Sequence, residues 1–190
     1  ALTTLDVTHF NTSAVTNMSG MFYYCQLTSL DVSNFNTSSV TNMRYMFYGC
    51  QALTTLDVTH FNTSAVTNMN SMFDYCRALT SLDVTHFDTS SVTDMGSMFS
   101  NCEALTSLDV SSFDTSAVTI MSNMFRGCRA LTTIYASADF VVTQVTSSDY
   151  MFTYMSTNLV GGAGTVWASG NPQDKTYAHI DGGTSNPGYF

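Results

Sequence analysis

A phrase of about 26 residues recurs five times along this chain, and that recurrence limits the possible folds more than any other feature. Aligned on Leu2, Leu27, Leu53, Leu79 and Leu105, the copies read Leu-x-x-Leu-Asp-Val-x-x-Phe-(Asn/Asp)-Thr-Ser-x-Val-Thr-x-Met-x-x-Met-Phe-x-x-Cys. Leu131 opens a sixth, degraded copy, with Tyr135 in the aspartate slot and Met155 in the cysteine slot. A fixed period in this range marks a solenoid, in which each copy is one coil that touches only its neighbours. One coil cannot bury both of its faces, so stacking is obligatory. Function is then sought in columns of equivalent side chains, not in a lone catalytic triplet.

Within each copy the hydrophobic period changes. Leu56 and Val58 alternate with Thr55, Asp57 and Thr59, the period-two mark of a strand with one buried face. Met69, Met72, Phe73 and Cys76 are spaced i, i+3, i+4, i+7, which predicts a short α or 3₁₀ helix. Asn68 is its expected N-cap, as are Asn17, Asn42 and Asp94 in other copies. Turn formers after Phe61 and a second extended stretch around Val66 complete the coil. The expected architecture is a leucine-rich-repeat-like α/β solenoid with a parallel β-sheet, one strand per repeat, and short helices on the opposite face. Residues 1–155 form this solenoid. Residues 156–190 hold both prolines, the only tryptophan and seven of the eleven glycines, and are expected to cap its end, with Thr176–Ile180 as a strand.

Composition excludes several function classes. The formal net charge is −9 with five basic residues, which argues against nucleic acid and anionic lipid as partners. No apolar run reaches ~18 residues, so no membrane-inserted helix is expected. The first residue already lies inside a repeat, so the chain reads as a fragment from which secretion or anchoring signals are missing. Cys25, Cys50, Cys76, Cys102 and Cys128 occupy one slot per copy; a ladder of free buried thiols is expected, not disulfides or a metal site. No cofactor is expected, since nucleophile elbow, phosphate loop and metal-ligand cluster are all missing from the sequence.

The clearest column is Asp6, Asp31, Asp57, Asp83 and Asp109, on the outward side of the strand. With coils ~4.8 Å apart, these carboxylates repel by about 1 kcal/mol per neighbouring pair even in water. Flanking hydroxyls, among them Thr55, Thr59 and Thr85, are candidates to offset this, as are calcium and a basic partner. A solvated, hydroxyl-satisfied ladder competes with a ligand-facing acidic surface. Arg44, Arg77, Arg126 and Arg129 fall in or after the predicted helix, so an acidic strand face should oppose a weakly basic one. His9, His60 and His86 share a column with Asn34 and Ser112 and read as surface turn positions, with a pH-sensitive or metal patch as the sharper alternative. In the cap, Trp167, Tyr177 and Tyr189 either cover core or stack on a sugar or peptide.

The wording from Leu30 to Cys50 resembles the BspA-like leucine-rich repeats of bacterial surface proteins, in the 26-residue variety of Gram-positive and mycoplasma proteins. The resemblance runs from Leu2 to about Met155, and the tail around Asn158–Gly162 and Ile180–Tyr189 is similar to that family's closing segment. It implies a secreted or wall-displayed binding or adhesion module, without enzymatic activity, whose partner is a protein or glycan on host or neighbouring cells. A structural spacer or filament subunit that stacks head-to-tail is the alternative. An ice-binding solenoid is a distant third, because Asp57 interrupts the hydroxyls of Thr55 and Thr59.

Overall fold

The computed structural model describes residues 3–186 and 188–190, so Leu2 and Pro187 lie outside the described residues. Each copy is one coil, and the backbone amides show how coils join. The amides of Met43, Tyr45, Phe47 and Gly49 donate at 2.8–3.0 Å to the carbonyls of Asn68, Asn70, Met72 and Asp74 in the next coil. Those of Met46, Tyr48 and Cys50 donate three residues back, to Met43, Tyr45 and Phe47. The Arg44 amide donates to Asn42 Oδ1 at 3.0 Å. Every amide from Met43 to Cys50 therefore has a partner, alternately along the rod and within its own turn, as a buried backbone requires.

This arrangement replaces the predicted helix. The Phe73 amide passes over the carbonyl four residues back and donates to Met98 in the next coil. Left-handed φ at Ser71 (54°) and Tyr75 (62°), and at Tyr45 (59°) and Gly49 (73°) one coil earlier, breaks any helical run. Consecutive tight turns still carry Met69, Met72, Phe73 and Cys76 to one side, where all four are fully buried. The i, i+3, i+4, i+7 spacing thus identified the buried face, while the backbone that delivers it is turned and not helical. Asn68 caps no helix; its Oδ1 accepts the Asn70 amide at 2.9 Å, an Asx turn. Among the described residues the helical segments are two 3₁₀ turns in the cap, Lys175–Tyr177 and Gly183–Ser185.

The expected one-strand-per-repeat sheet closes only at its far end. Strands β1 (Ser107–Val110) and β2 (Thr133–Ala136) pair in parallel, with Asp109 opposite Tyr135. Between earlier coils the equivalent residues are joined by long bonds, from the Thr28 amide to Thr3 and from Thr80 to Thr54, both 3.4 Å. Charge accounts for the difference. Earlier coils set aspartate opposite aspartate, and like charges directly opposed destabilise a strand pair. At β1–β2 the opposing residue is tyrosine. A second parallel column is continuous, through single bridges Asn17–Asn42–Asn68–Asp94–Ile120–Ser147.

Inside the rod the columns become ladders. Phe22, Phe47, Phe73, Phe99, Phe125 and Phe152 stack in sequence, with ring centroids 5.5–6.0 Å apart. The thiols of Cys50, Cys76, Cys102 and Cys128 are free and buried, and donate to the carbonyls of Phe22, Phe47, Phe73 and Phe99. A buried threonine column staples the turns: the hydroxyls of Thr37, Thr63 and Thr89 donate to the next coil's Asn62, Asp88 and Asp114 carbonyls at 2.8–2.9 Å.

Residues 156–190 lie against the sixth coil. The Phe152 amide donates to the Gln173 carbonyl, and the Trp167 indole N–H donates to the Phe152 carbonyl at 2.8 Å. The predicted strand Thr176–Ile180 is not formed; a 3₁₀ turn over Lys175–Tyr177 takes its place, with Asp174 capping it through the Thr176 amide. The cap is tied together by Asp181, whose carboxylate accepts from the amides of Ala163, Thr165 and Gly183 and from the Thr165 hydroxyl, all at 2.7–3.0 Å. Gly161 permits this crossing, since a Cβ there would sit 2.3 Å from the Gly188 carbonyl oxygen.

Candidate binding face

The strand side of the rod carries the acidic column outward. Asp6, Asp31, Asp57 and Asp83 are exposed and Asp109 is half-buried. Each carboxylate is held through one oxygen. Asp57 Oδ1 accepts from the Thr59 amide at 3.0 Å and the Thr59 hydroxyl at 2.7 Å. Asp83 is held alike by Thr85, and Asp6 by Thr8. Ser33 and Ser111 supply their amides to Asp31 and Asp109. Only the residue two positions later serves; Thr55, on the near side of Asp57, lines the surface without bonding to it. The hydroxyl first, and then the amide, holds the carboxyls of Asp6, Asp57 and Asp83 below the usual carboxylate range. Ser33 acts in the same way on Asp31. The second oxygen of each of these aspartates has no partner among the described residues.

Between the carboxylates runs a furrow. One depression of about 530 Å³ is bordered by Asp31, Asp57 and Asp83, with Thr55 and Thr59 on its wall. A second, of about 300 Å³, continues past Asp83, Thr85 and Asp109 to the exposed Tyr135. Its floor is apolar: Leu30, Leu56 and Leu82 remain 7–9% accessible, whereas Leu108, beneath the closed β1–β2 pair, is at 1%. The loosened pairing between opposed aspartates therefore opens the furrow. Among the described residues, no three of His, Cys, Asp and Glu come together in metal-binding geometry.

The histidine column lies beside this row, and three of its positions reach across coils. His60 Nε2 lies 2.7 Å from the Val32 carbonyl, and Asn34 and Ser112 likewise reach carbonyls one coil back. Arg44, Arg77 and Arg126 stand with the tyrosines of the turns. Arg44 lies over the Tyr45 ring at 4.4 Å, Arg77 over Tyr75 at 5.0 Å, and Arg126 over Tyr154 at 5.3 Å. Arg77 also pairs with Glu103 at 3.4 Å. These three arginines lie away from the aspartate row, on a face of mixed charge that also carries Asp74 and Glu103. Of the cap aromatics offered as ligand platforms, Tyr189 is fully buried against Phe152 and Tyr177, and Trp167 is half-buried with its N–H engaged. They cover core.

Sequence reasoning missed two features. Tyr135 was visible only as a departure from the aspartate column, yet it closes the furrow. Asp74 is buried on the turn side, where burial pushes its carboxyl up to about 6 against the hydrogen bonds of Asn101 and Ser100. The folded chain therefore binds this proton at pH values where the unfolded chain has released it. The contribution of Asp74 to stability is fully present below the unfolded aspartate value of ~3.9 and is lost as pH rises from there through about 6. Its signal was an aspartate in a slot held by tyrosine, serine, arginine or threonine elsewhere.

Comparison with known proteins gives two matches. The family described as "Mycoplasma protein of unknown function, DUF285" matches residues 1–83 and 54–160. Among solved structures, the T. pallidum leucine rich repeat protein (TpLRR) aligns at 20% identity and a TM-score of 0.40, over 62% of this chain and 60% of that one. No curated protein matches the chain.

Proposed function

Because the chain belongs to the DUF285 family of BspA-like surface repeats, we propose that it is a non-catalytic binding or adhesion module that displays the acidic furrow to partners outside the cell. One observation carries this reading: five carboxylates in register along one face, each fixed by one oxygen and open at the other, with an apolar-floored furrow running from Asp31 to Asp109. Side chains already held in place lose little freedom on binding. The partner that fits is a protein segment bearing arginine or lysine, whose cations the row receives in sequence while its apolar parts cover Leu30, Leu56 and Leu82. A glycan whose hydroxyls donate to the same oxygens is the second candidate. Display suits the chemistry better than catalysis, since the interior thiols are buried and already donating and the furrow's features repeat from coil to coil.

Head-to-tail self-assembly has less support. At the sixth coil the Phe152 amide is taken by Gln173, its carbonyl by Trp167 and its ring by Tyr189 and Phe190, so a following coil would have to displace the cap there. The test is an extracellular-matrix protein and glycan array, repeated with Asp57→Asn, Asp83→Asn and Asp109→Asn combined. Binding should fall by about tenfold or more, and wild-type binding should weaken with salt. Unchanged binding would move the site off this face.

A further inference from the structure

We propose a second ligand site on the turn face, between the fifth and sixth coils, where Tyr150 and Tyr154 receive a pyranose ring of a glycan. The pocket has a volume of about 340 Å³ and is lined by Asn123, Arg126, Tyr150, Thr153 and Tyr154. That size lies within the range of small-molecule sites.

Backbone conformation makes these tyrosines unusual. Each coil has two left-handed slots, and in the fifth coil they hold Asn123 (φ 60°) and Gly127 (φ 74°), residue types that tolerate such φ. In the sixth coil the same slots hold Tyr150 (φ 60°) and Tyr154 (φ 58°). A bulky residue with this φ is unfavourable and persists where the surroundings or function require it. Burial does not repay it here, because the two side chains are 63% and 59% exposed. Tyrosines in left-handed slots near the other end recover contacts from Tyr48, which lies outside those slots: Tyr24, Tyr45 and Tyr75 each lie 5.2–5.7 Å from it. Tyr150 and Tyr154 instead flank open space, with Arg126 over the Tyr154 ring.

The polar groups in the pocket point to the ligand class. The Thr153 hydroxyl is enclosed, has no partner among the described residues and presents no surface to a ligand, so recognition rests on the exposed groups. A neighbouring hollow on the far side of Tyr150 is bordered by Asp149, Gln173 and Asp174. Aromatic faces for the C–H side of a sugar, beside planar amide, guanidinium and carboxylate groups for its hydroxyls, match a pyranose. One arginine against two aspartates disfavours a phosphate or nucleotide.

The probes are neutral gluco-, galacto- and manno-oligosaccharides at millimolar concentration, followed by amide chemical shifts and by saturation transfer to the sugar. Binding by at least one of them is expected, with shifts centred on Asn123, Thr153 and Tyr154. Tyr150→Asn and Tyr154→Gly, which install the fifth coil's own residues in these slots, should each weaken it at least tenfold while circular dichroism stays unchanged. Tyr150→Phe should retain it. The aspartate triple variant should also retain it, so failure here is distinguishable from failure of the acidic-face reading. Silence from every sugar at this pocket, or binding that survives both slot variants, would overturn the proposal.

Discussion

Replacing Phe99 by alanine is expected to destabilise the chain by about 3–5 kcal/mol, measured by urea unfolding. Phe99 is fully buried midway along the phenylalanine ladder, stacked on Phe73 at 5.9 Å and on Phe125 at 6.0 Å, with Phe113 also against it. Its removal therefore damages two coil interfaces at once. In a solenoid, stability is a sum of coil and nearest-neighbour interface terms, so position along the rod should matter. Phe22→Ala meets one ladder neighbour, Phe47 at 5.5 Å, and should cost measurably less. Equal losses at the two positions would contradict nearest-neighbour stacking.

Asp181→Ala should cost about 3–5 kcal/mol, because it strands several cap amides and the Thr165 hydroxyl at once. The loss should appear first as a red shift of Trp167 fluorescence, as the cap leaves the sixth coil. Burial alone would raise the Asp181 carboxyl, but the Thr165 hydroxyl and the amides around it prevail and hold it well below the usual range. An unfolded aspartate titrates near ~3.9, so the folded chain releases this proton more readily than the unfolded one. The Asp181 contribution is complete above that pH and is lost as pH falls through and below it. Wild type should accordingly lose stability more steeply than Asp181→Ala between about pH 4 and pH 2.

Much of this fold was legible in the residues because a solenoid writes its core as columns. Leu56, Val58, Met69, Met72, Phe73 and Cys76 were assigned inward and are all buried. The turn backbone was not legible. A helix and a run of tight turns place apolar side chains at nearly the same spacing, and the distinction lies in whether the Phe73 amide finds a carbonyl in its own coil or in the next. No single copy contains that information. Tyrosine and serine in left-handed slots, such as Tyr75 and Ser71, also concealed the turns that glycine would have announced. The sheet was over-read for a related reason. Alternation at Leu56, Asp57 and Val58 reports which side faces inward, but ladder closure depends on what stands opposite, and aspartate opposite aspartate opposes it. Within the candidate face the acidic column was visible from its repetition alone. That one oxygen of each carboxylate would be taken by the residue two positions later, leaving the other free, required the turn geometry.

The central claim is that successive copies stack in register through amide-to-carbonyl bonds between coils. Scalar couplings across hydrogen bonds, read by NMR on the deuterated chain, test it most directly. Couplings are expected from the Phe73 amide nitrogen to the Met98 carbonyl carbon, and from Phe99 to Met124. Couplings from Phe73 to Met69 and from Phe99 to Met95 instead, four residues back, would mean helices in place of laddered turns and would contradict it.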